Sequence, residues 1–161
     1  MFHPQTFTLI EAPEHEFAER FAAVWQSPTP ETLCSLLDDY VVLRQPHRPV
    51  IVGKEAALSE FRRLLNWLPD LHGIVDRASY APSLVMIEWR MIVPVGMGSF
   101  TLHAVDRLTL SRGLATERAV YFDTAALLRQ MMQHPKIWRG YLRYRHRPLS
   151  SALYRGLSTA T

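Results

Sequence analysis

From residue 73 to residue 122 the chain consists almost wholly of β-forming side chains, interrupted three times by short turn-forming groups. The β-rich runs are 73–80, 84–95, 99–110 and 113–122. The interruptions are Ala81-Pro82-Ser83, Gly96-Met97-Gly98 and Ser111-Arg112-Gly113. Connections this short cannot carry a crossover helix, so successive strands are expected to run antiparallel as a meander. A sheet of long strands needs an apolar cover on at least one face. The rest of the chain has to supply it.

The preceding residues read as that cover. Over residues 13–26, Phe17, Phe21, Val24 and Trp25 recur at helical spacing. Ser27-Pro28-Thr29-Pro30 stops this helix. Thr29 then suits the cap of a second one, with Pro30 in its first turn and Leu33, Leu36 and Leu37 as apolar positions. Residues 40–45 form a short β-rich run, closed by Pro46 and Pro49. Gly53 opens a third helix whose stripe is Ala57, Phe61, Leu64, Leu65 and Leu68, ended by Pro69. A last helix is expected over 124–133, with Asp123 placed to cap it. Helices first and a meander afterwards is an α+β pattern: a cone-shaped curved antiparallel sheet with three N-terminal helices packed on its concave face, plus a C-terminal helical extension.

A length of 161 residues suits one such domain. The 48% hydrophobic and 20% charged composition is that of a globular chain. The only cysteine, Cys34, excludes an internal disulfide framework and a multi-cysteine zinc site, and on the second helix it reads as a buried, inert thiol. The start shows no basic stretch followed by a long apolar one, so a cytoplasmic protein is expected. The seven histidines show no zinc-protease spacing, and neither a nucleophile elbow nor a glycine-rich phosphate loop occurs. No metal or other cofactor is expected.

Charge divides the chain in two. From Thr124 onward there is no acid and there are seven basic residues: Arg129, Lys136, Arg139, Arg143, Arg145, Arg147 and Arg155. Taking these from 18 Lys and Arg leaves 11 before residue 124, against all 15 acids, a formal −4. The body is therefore no basic platform for nucleic acid. The division suggests a main domain at 1–134 and a basic, aromatic extension at 135–161. In the extension Trp138, Tyr141, Leu142 and Arg145 share a helical face. Contact of this tail with a membrane surface is the alternative; packing of Trp138, Tyr141 and Leu142 on the acidic body is the preferred reading.

Several short motifs, in order, resemble one family. They are Asp38-Asp39 before the first strand, the run 51–56 opening the third helix, 68–71 after it, 104–108 in the third long strand, and Tyr121-Phe122-Asp123 leading into Leu127-Leu128-Arg129-Gln130. Together they resemble the SnoaL-like polyketide cyclase, limonene-epoxide hydrolase and ketosteroid isomerase group of the nuclear transport factor 2-like fold, over roughly residues 10–133. The resemblance implies an apolar pocket inside the cone. It does not by itself imply an activity, because one fold hosts many.

Strand alternation suggests what lines that pocket. Val85, Ile87, Trp89, Met91 and Val93 share one face of the second long strand. Phe100, Leu102, Ala104, Asp106 and Leu108 share one face of the third, where Asp106 is the only acid. The resemblance turns Val120 and Phe122 inward. Val42, Trp89, Met91, Val93, Leu102, Ala104 and Phe122 are therefore the expected ligand-binding residues. Asp106 matches the family's hydrogen-bond-donating Asp: a carboxyl group held neutral by an apolar cavity can donate to a developing oxyanion. The other reading of Asp106 is a buried acid paired with an arginine. Arg44, on the face of Val42, is expected to point into the cone, where it pairs with Asp106, binds an acidic ligand head, or reaches solvent at the mouth. Asp123 occupies the place of the cyclase acid–base Asp, or caps the last helix.

Other parts of the family pattern are missing. The isomerase's base falls at Arg44 or Gln45 and its phenol near Phe21. The epoxide hydrolase's Arg and two Asp fall at Trp89, Met91 and Val120. The chain thus reads as a binder of a small hydrophobic ligand in the cone, with Asp106, Arg44 and Asp123 as the catalytic candidates for a cofactor-independent isomerase, cyclase or dehydratase. The alternative is a non-catalytic ligand-binding or protein-interaction module with a packed pocket. A homodimer is expected to cover the apolar outer sheet face.

Overall fold

The structure, a computed structural model, describes residues 13–46 and 48–146. Its elements in chain order are α1 (Pro13–Gln26), α2 (Pro30–Cys34), β1 (Leu37–Arg44), β2 (Ile51–Val52), α3 (Lys54–Trp67), β3 (His72–Ala81), β4 (Leu84–Val95), β5 (Gly98–Ser111), β6 (Leu114–Phe122), α4 (Thr124–Gln133) and α5 (Pro135–His146). This is the α+β arrangement expected from the sequence, with one correction. The six-stranded sheet, ordered β2-β1-β6-β5-β4-β3, is mixed, because β1 runs parallel to β6. The chain reaches β6 from β1 only after α3 and four further strands, which permits the parallel pairing.

Local chemistry sets the element ends. Thr29 caps α2 reciprocally: its hydroxyl accepts from the Thr32 amide, and its own amide donates to the Thr32 hydroxyl. Ser111 pairs with Leu114, leaving Arg112 and Gly113, both at positive φ, as the two-residue loop that suits the twist of a hairpin. Asp123 caps α4 by accepting from the amides of Ala125 and Ala126.

One face of the sheet carries the core. Phe17, Phe21 and Trp25, one helical turn apart on α1, are all buried against it, as are Val85, Ile87, Trp89 and Val93 of β4. Each such side chain contributes about 1.5–3 kcal/mol by leaving water. Gly73 on β3 is required by this packing: a Cβ there would lie 2.8 Å from the Trp89 ring and 3.1 Å from Trp25 Cβ. Register shifts in β1, in β3 and between β5 and β6 bend the sheet around the helices.

The tail residues up to His146 form α5, which lies on α3. Ile137 and Tyr144 are its buried residues, Trp138 and Tyr141 are half-buried, and Leu142 is exposed. The buried stripe is therefore Ile137, Tyr141 and Tyr144, one position away from the expected Trp138, Tyr141 and Leu142. Trp67 sets this phase: its ring meets Tyr141 and Tyr144, and its indole N–H donates to the Ile137 carbonyl. Pro148 and Gly156, which the sequence offers as breaks in a tail helix, lie outside the described residues. Among the described residues no helix is long and apolar enough to cross a membrane.

Candidate functional site

A cavity of about 310 Å³ opens between the inner sheet face, α1, α3 and the two C-terminal helices. Trp25 comes from α1, Phe61, Leu64 and Trp67 from α3, Trp89, Met91 and Val93 from β4, and Leu102 from β5. Val120 and Phe122 come from β6, Leu127 and Leu128 from α4, and Tyr141 and Tyr144 from α5. Its charged lining residues are Arg48, Arg118 and Arg145. Asp, Glu, His, Lys and Cys are absent from the lining among the described residues.

Arg118 is the charged residue at the buried end. A register shift between Thr109 and Leu110, opposite Thr116, resets the alternation of β6. Beyond it Arg118, Val120 and Phe122 face inward. Arg118 is 6% exposed, and its Nε donates to Asp106 Oδ2 at 2.5 Å. Its guanidinium carbon lies 5.2 Å from the Trp25 ring centroid and 5.7 Å from that of Phe21. Trp25 and Trp89 pack with centroids 4.5 Å apart. No hydrogen bond joins the Arg118 η nitrogens to any other described residue, so the side chain offers free donors at a cavity wall.

Asp106 is fully buried and lies behind Arg118, outside the cavity lining. Its Oδ1 accepts from the Trp89 indole N–H at 2.9 Å, while Oδ2 accepts from Arg118. Both partners are donors, so the carboxyl group acts as an acceptor. Asp106 thus meets Trp89 and Arg118 and does not reach the cavity, where the sequence reading has it donate to a ligand oxyanion.

The structure places the other two catalytic candidates away from the cavity. Arg44 faces outward, with its side chain 54% exposed and its Nε 3.1 Å from Glu117 Oε1. The strand begins at Leu37, and its buried residues are Leu37, Val41 and Leu43, which puts Val42 and Arg44 on the opposite face. Arg44 neither meets Asp106 nor lines the cavity, and Val42 does not line it either. Asp123 is exposed, and its carboxylate is occupied as the α4 cap. Of the expected binding residues, Trp89, Met91, Val93, Leu102 and Phe122 line the cavity. Ala104 is buried opposite Trp89 without reaching it.

A second polar cluster, missed in the sequence, closes the wall between α3 and α5. Glu60 is fully buried. It takes hydrogen bonds from Arg48 Nη2 at 2.8 Å, from Arg63 and from the Tyr144 hydroxyl. The Arg48 guanidinium lies 4.5 Å over the Tyr144 ring. Burial, with Glu60 beside it, pushes the Tyr144 phenol far above its ordinary range, so it stays protonated. The signal was available: Glu60 stands on the apolar stripe of α3 between Ala57 and Leu64, where an acid needs a partner.

With this geometry the relatives can be placed. The family model of the SnoaL-like domain matches residues 18–118. The chain belongs to the SnoaL-like family. No curated protein matches this SnoaL-like chain. Among solved structures, TerC co-crystallised with polyporic acid is 20% identical, covering 75% of this chain and 99% of its own, with a TM-score of 0.65. A Catenulispora acidiphila protein of ketosteroid isomerase-like fold, in complex with trimethylamine, is 19% identical over 76% of this chain and 96% of its own, at 0.66. An M. tuberculosis LEH-like epoxide hydrolase is 17% identical over 81% and 92%, at 0.62. These identities carry the fold and not an activity. Arg118 closes the matched segment of this SnoaL-like protein, and α4 and α5 lie beyond it.

Proposed function

We propose that this SnoaL-like protein binds a small, largely apolar, aromatic molecule inside the cone and holds an oxygen of that molecule against Arg118. The observation that carries this reading is a buried guanidinium, fixed on one side by Asp106, with free donors at the wall of an otherwise apolar cavity. Such a site favours a ligand whose body leaves water and whose carbonyl or enol oxygen takes a charge-assisted hydrogen bond. TerC, of the same fold, is solved with polyporic acid.

The chemistry available is electrostatic. A cation aimed at a carbonyl oxygen stabilises negative charge developing there, as in enolisation. With no carboxylate, imidazole, amine or thiol among the described lining residues, the site has no side chain suited to general base work near neutral pH. Binding is therefore the activity the cavity supports best, with Arg118 polarising the ligand's neutral carbonyl through a hydrogen bond.

Calorimetric titration with benzophenone and with diphenylmethane, which lacks the carbonyl, tests this. The wild-type protein should bind benzophenone more tightly, by roughly tenfold, the scale of a hydrogen bond to a charged group. Arg118→Met should remove the preference while leaving diphenylmethane binding in place. Equal binding of the two compounds by the wild type would refute the role of Arg118.

A further inference from the structure

We propose that the mouth of the cavity, between Arg48 and Arg145, is a carboxylate subsite, so that the ligand presents a carbonyl oxygen to Arg118 and leaves a carboxylate at the rim. This rests on the binding reading above and extends it to a class of ligand, an apolar aromatic keto acid.

The argument is one of charge placement. At the buried end, Arg118 is matched one to one by Asp106, whose Oδ2 lies 2.5 Å from its Nε. That pair can donate hydrogen bonds but carries no net charge, and a full anion beside it would also face the Asp106 carboxylate. A neutral carbonyl suits it better. The mouth is different. Arg145 is exposed, lines the cavity, and makes no ion pair with any described residue. Arg48 is held by Glu60, which also accepts from Arg63 and from the Tyr144 hydroxyl. Protonated Tyr144 adds no negative charge. No described lining residue is acidic. An anion therefore finds at the rim the guanidinium of Arg145, which pairs with no described acid, and at the floor one that Asp106 already holds. A guanidinium at the rim also offers a carboxylate two donors at once.

Arg48 lies within the family match, but the other side of the subsite comes from outside it. Arg145 and Tyr144 lie on α5, past residue 118, so the added helix would set the ligand preference of this chain. Residues of α5 that point elsewhere, such as Lys136, carry the same charge without lining the cavity, and so serve as controls.

The test uses three probes of one shape: 4-benzoylbenzoate, its methyl ester, and 4-benzylbenzoate, which keeps the acid and lacks the carbonyl. Calorimetry on the full chain should show the keto acid binding roughly three- to tenfold more tightly than its ester, the scale of a partly exposed ion pair. The ratio should shrink in about 0.5 M salt, where screening shortens to a few ångströms. Arg145→Gln should bring acid and ester together without weakening the ester, and Lys136→Gln should leave the ratio alone. Arg118→Met should weaken both keto probes and spare 4-benzylbenzoate. Tight ester binding with no preference for the acid, or an unchanged ratio in Arg145→Gln, overturns the subsite and leaves the cavity reading standing. Failure of acid and ester alike to bind overturns both.

Discussion

Replacing Asp106 by Asn tests the central pair of the structure. The substitution keeps the shape and an acceptor for the Trp89 indole N–H, but it removes the charge opposite Arg118. The Asn amide would also turn a donor toward Arg118 Nε. Arg118 is 8% exposed at its side chain and Asp106 is fully buried, so the pair is largely withdrawn from water. Breaking a buried pair from one side costs roughly 3–5 kcal/mol, because the remaining charge is uncompensated. The Arg118 guanidinium borders the cavity and can be partly hydrated there, which places the expectation near the lower end, at about 3 kcal/mol. For a chain of this length that corresponds to a fall in Tm of roughly 6–12 °C. Urea unfolding of Asp106→Asn, Arg118→Met and the double variant gives the coupling between the two positions. Each single change should be costly, and the double should cost less than their sum by about 2 kcal/mol or more. Asp106→Asn within about 1 kcal/mol of wild type, or additive changes, would refute the ion-pair account.

Three further outcomes follow from the packing and the surface. Gly73→Ala should destabilise by about 1–3 kcal/mol in urea unfolding, because the new Cβ would meet the Trp89 ring; an unchanged midpoint would contradict the tight contact. Tyr144 has its phenol raised above the ordinary 10.0, so its contribution is fully present below about pH 10 and is lost as pH rises beyond it. Thermal melts from pH 8 upward should therefore fall more steeply for wild type than for Tyr144→Phe, and parallel curves would count against the buried phenol. Ile74, Met86 and Tyr121 remain exposed on the outer sheet face, and we propose a homodimer that covers it. Light scattering at micromolar concentration should give the dimer mass, and a monomer would remove this proposal.

How much of this was legible in the sequence differs from element to element. The inner faces of β4 and β5 could be read directly, because one set of alternate residues is wholly apolar and the other is mixed. β1 could not be read so easily. Val41, Val42 and Leu43 are all apolar, so alternation alone cannot say which face is inward, and Arg44 was placed on the wrong side. Arg118 was hidden by the bulge opposite Thr116. Reading β6 from its start gives no consistent face, although counting back in twos from Phe122 and Val120 reaches Arg118. In α5 two overlapping stripes compete, one through Ile137, Tyr141 and Tyr144 and one through Trp138, Leu142 and Arg145. Helical period cannot choose between them. The choice is made by Trp67 and Glu60, 70 and 84 residues away in the sequence from the groups they bond. Asp106 was correctly singled out as the acid on an apolar face. Its role depended on partners in other strands, and those turned it from a ligand contact into a support for one.

A crystal structure of the protein with 4-benzoylbenzoate is the most direct measurement. The account places the two rings against the cavity wall of Trp25, Trp89 and Phe61, the ketone oxygen within about 3 Å of an Arg118 η nitrogen, and the carboxylate at Arg145. An empty cavity, a ligand on the outer sheet face, or a bound ketone turned away from Arg118 would contradict it.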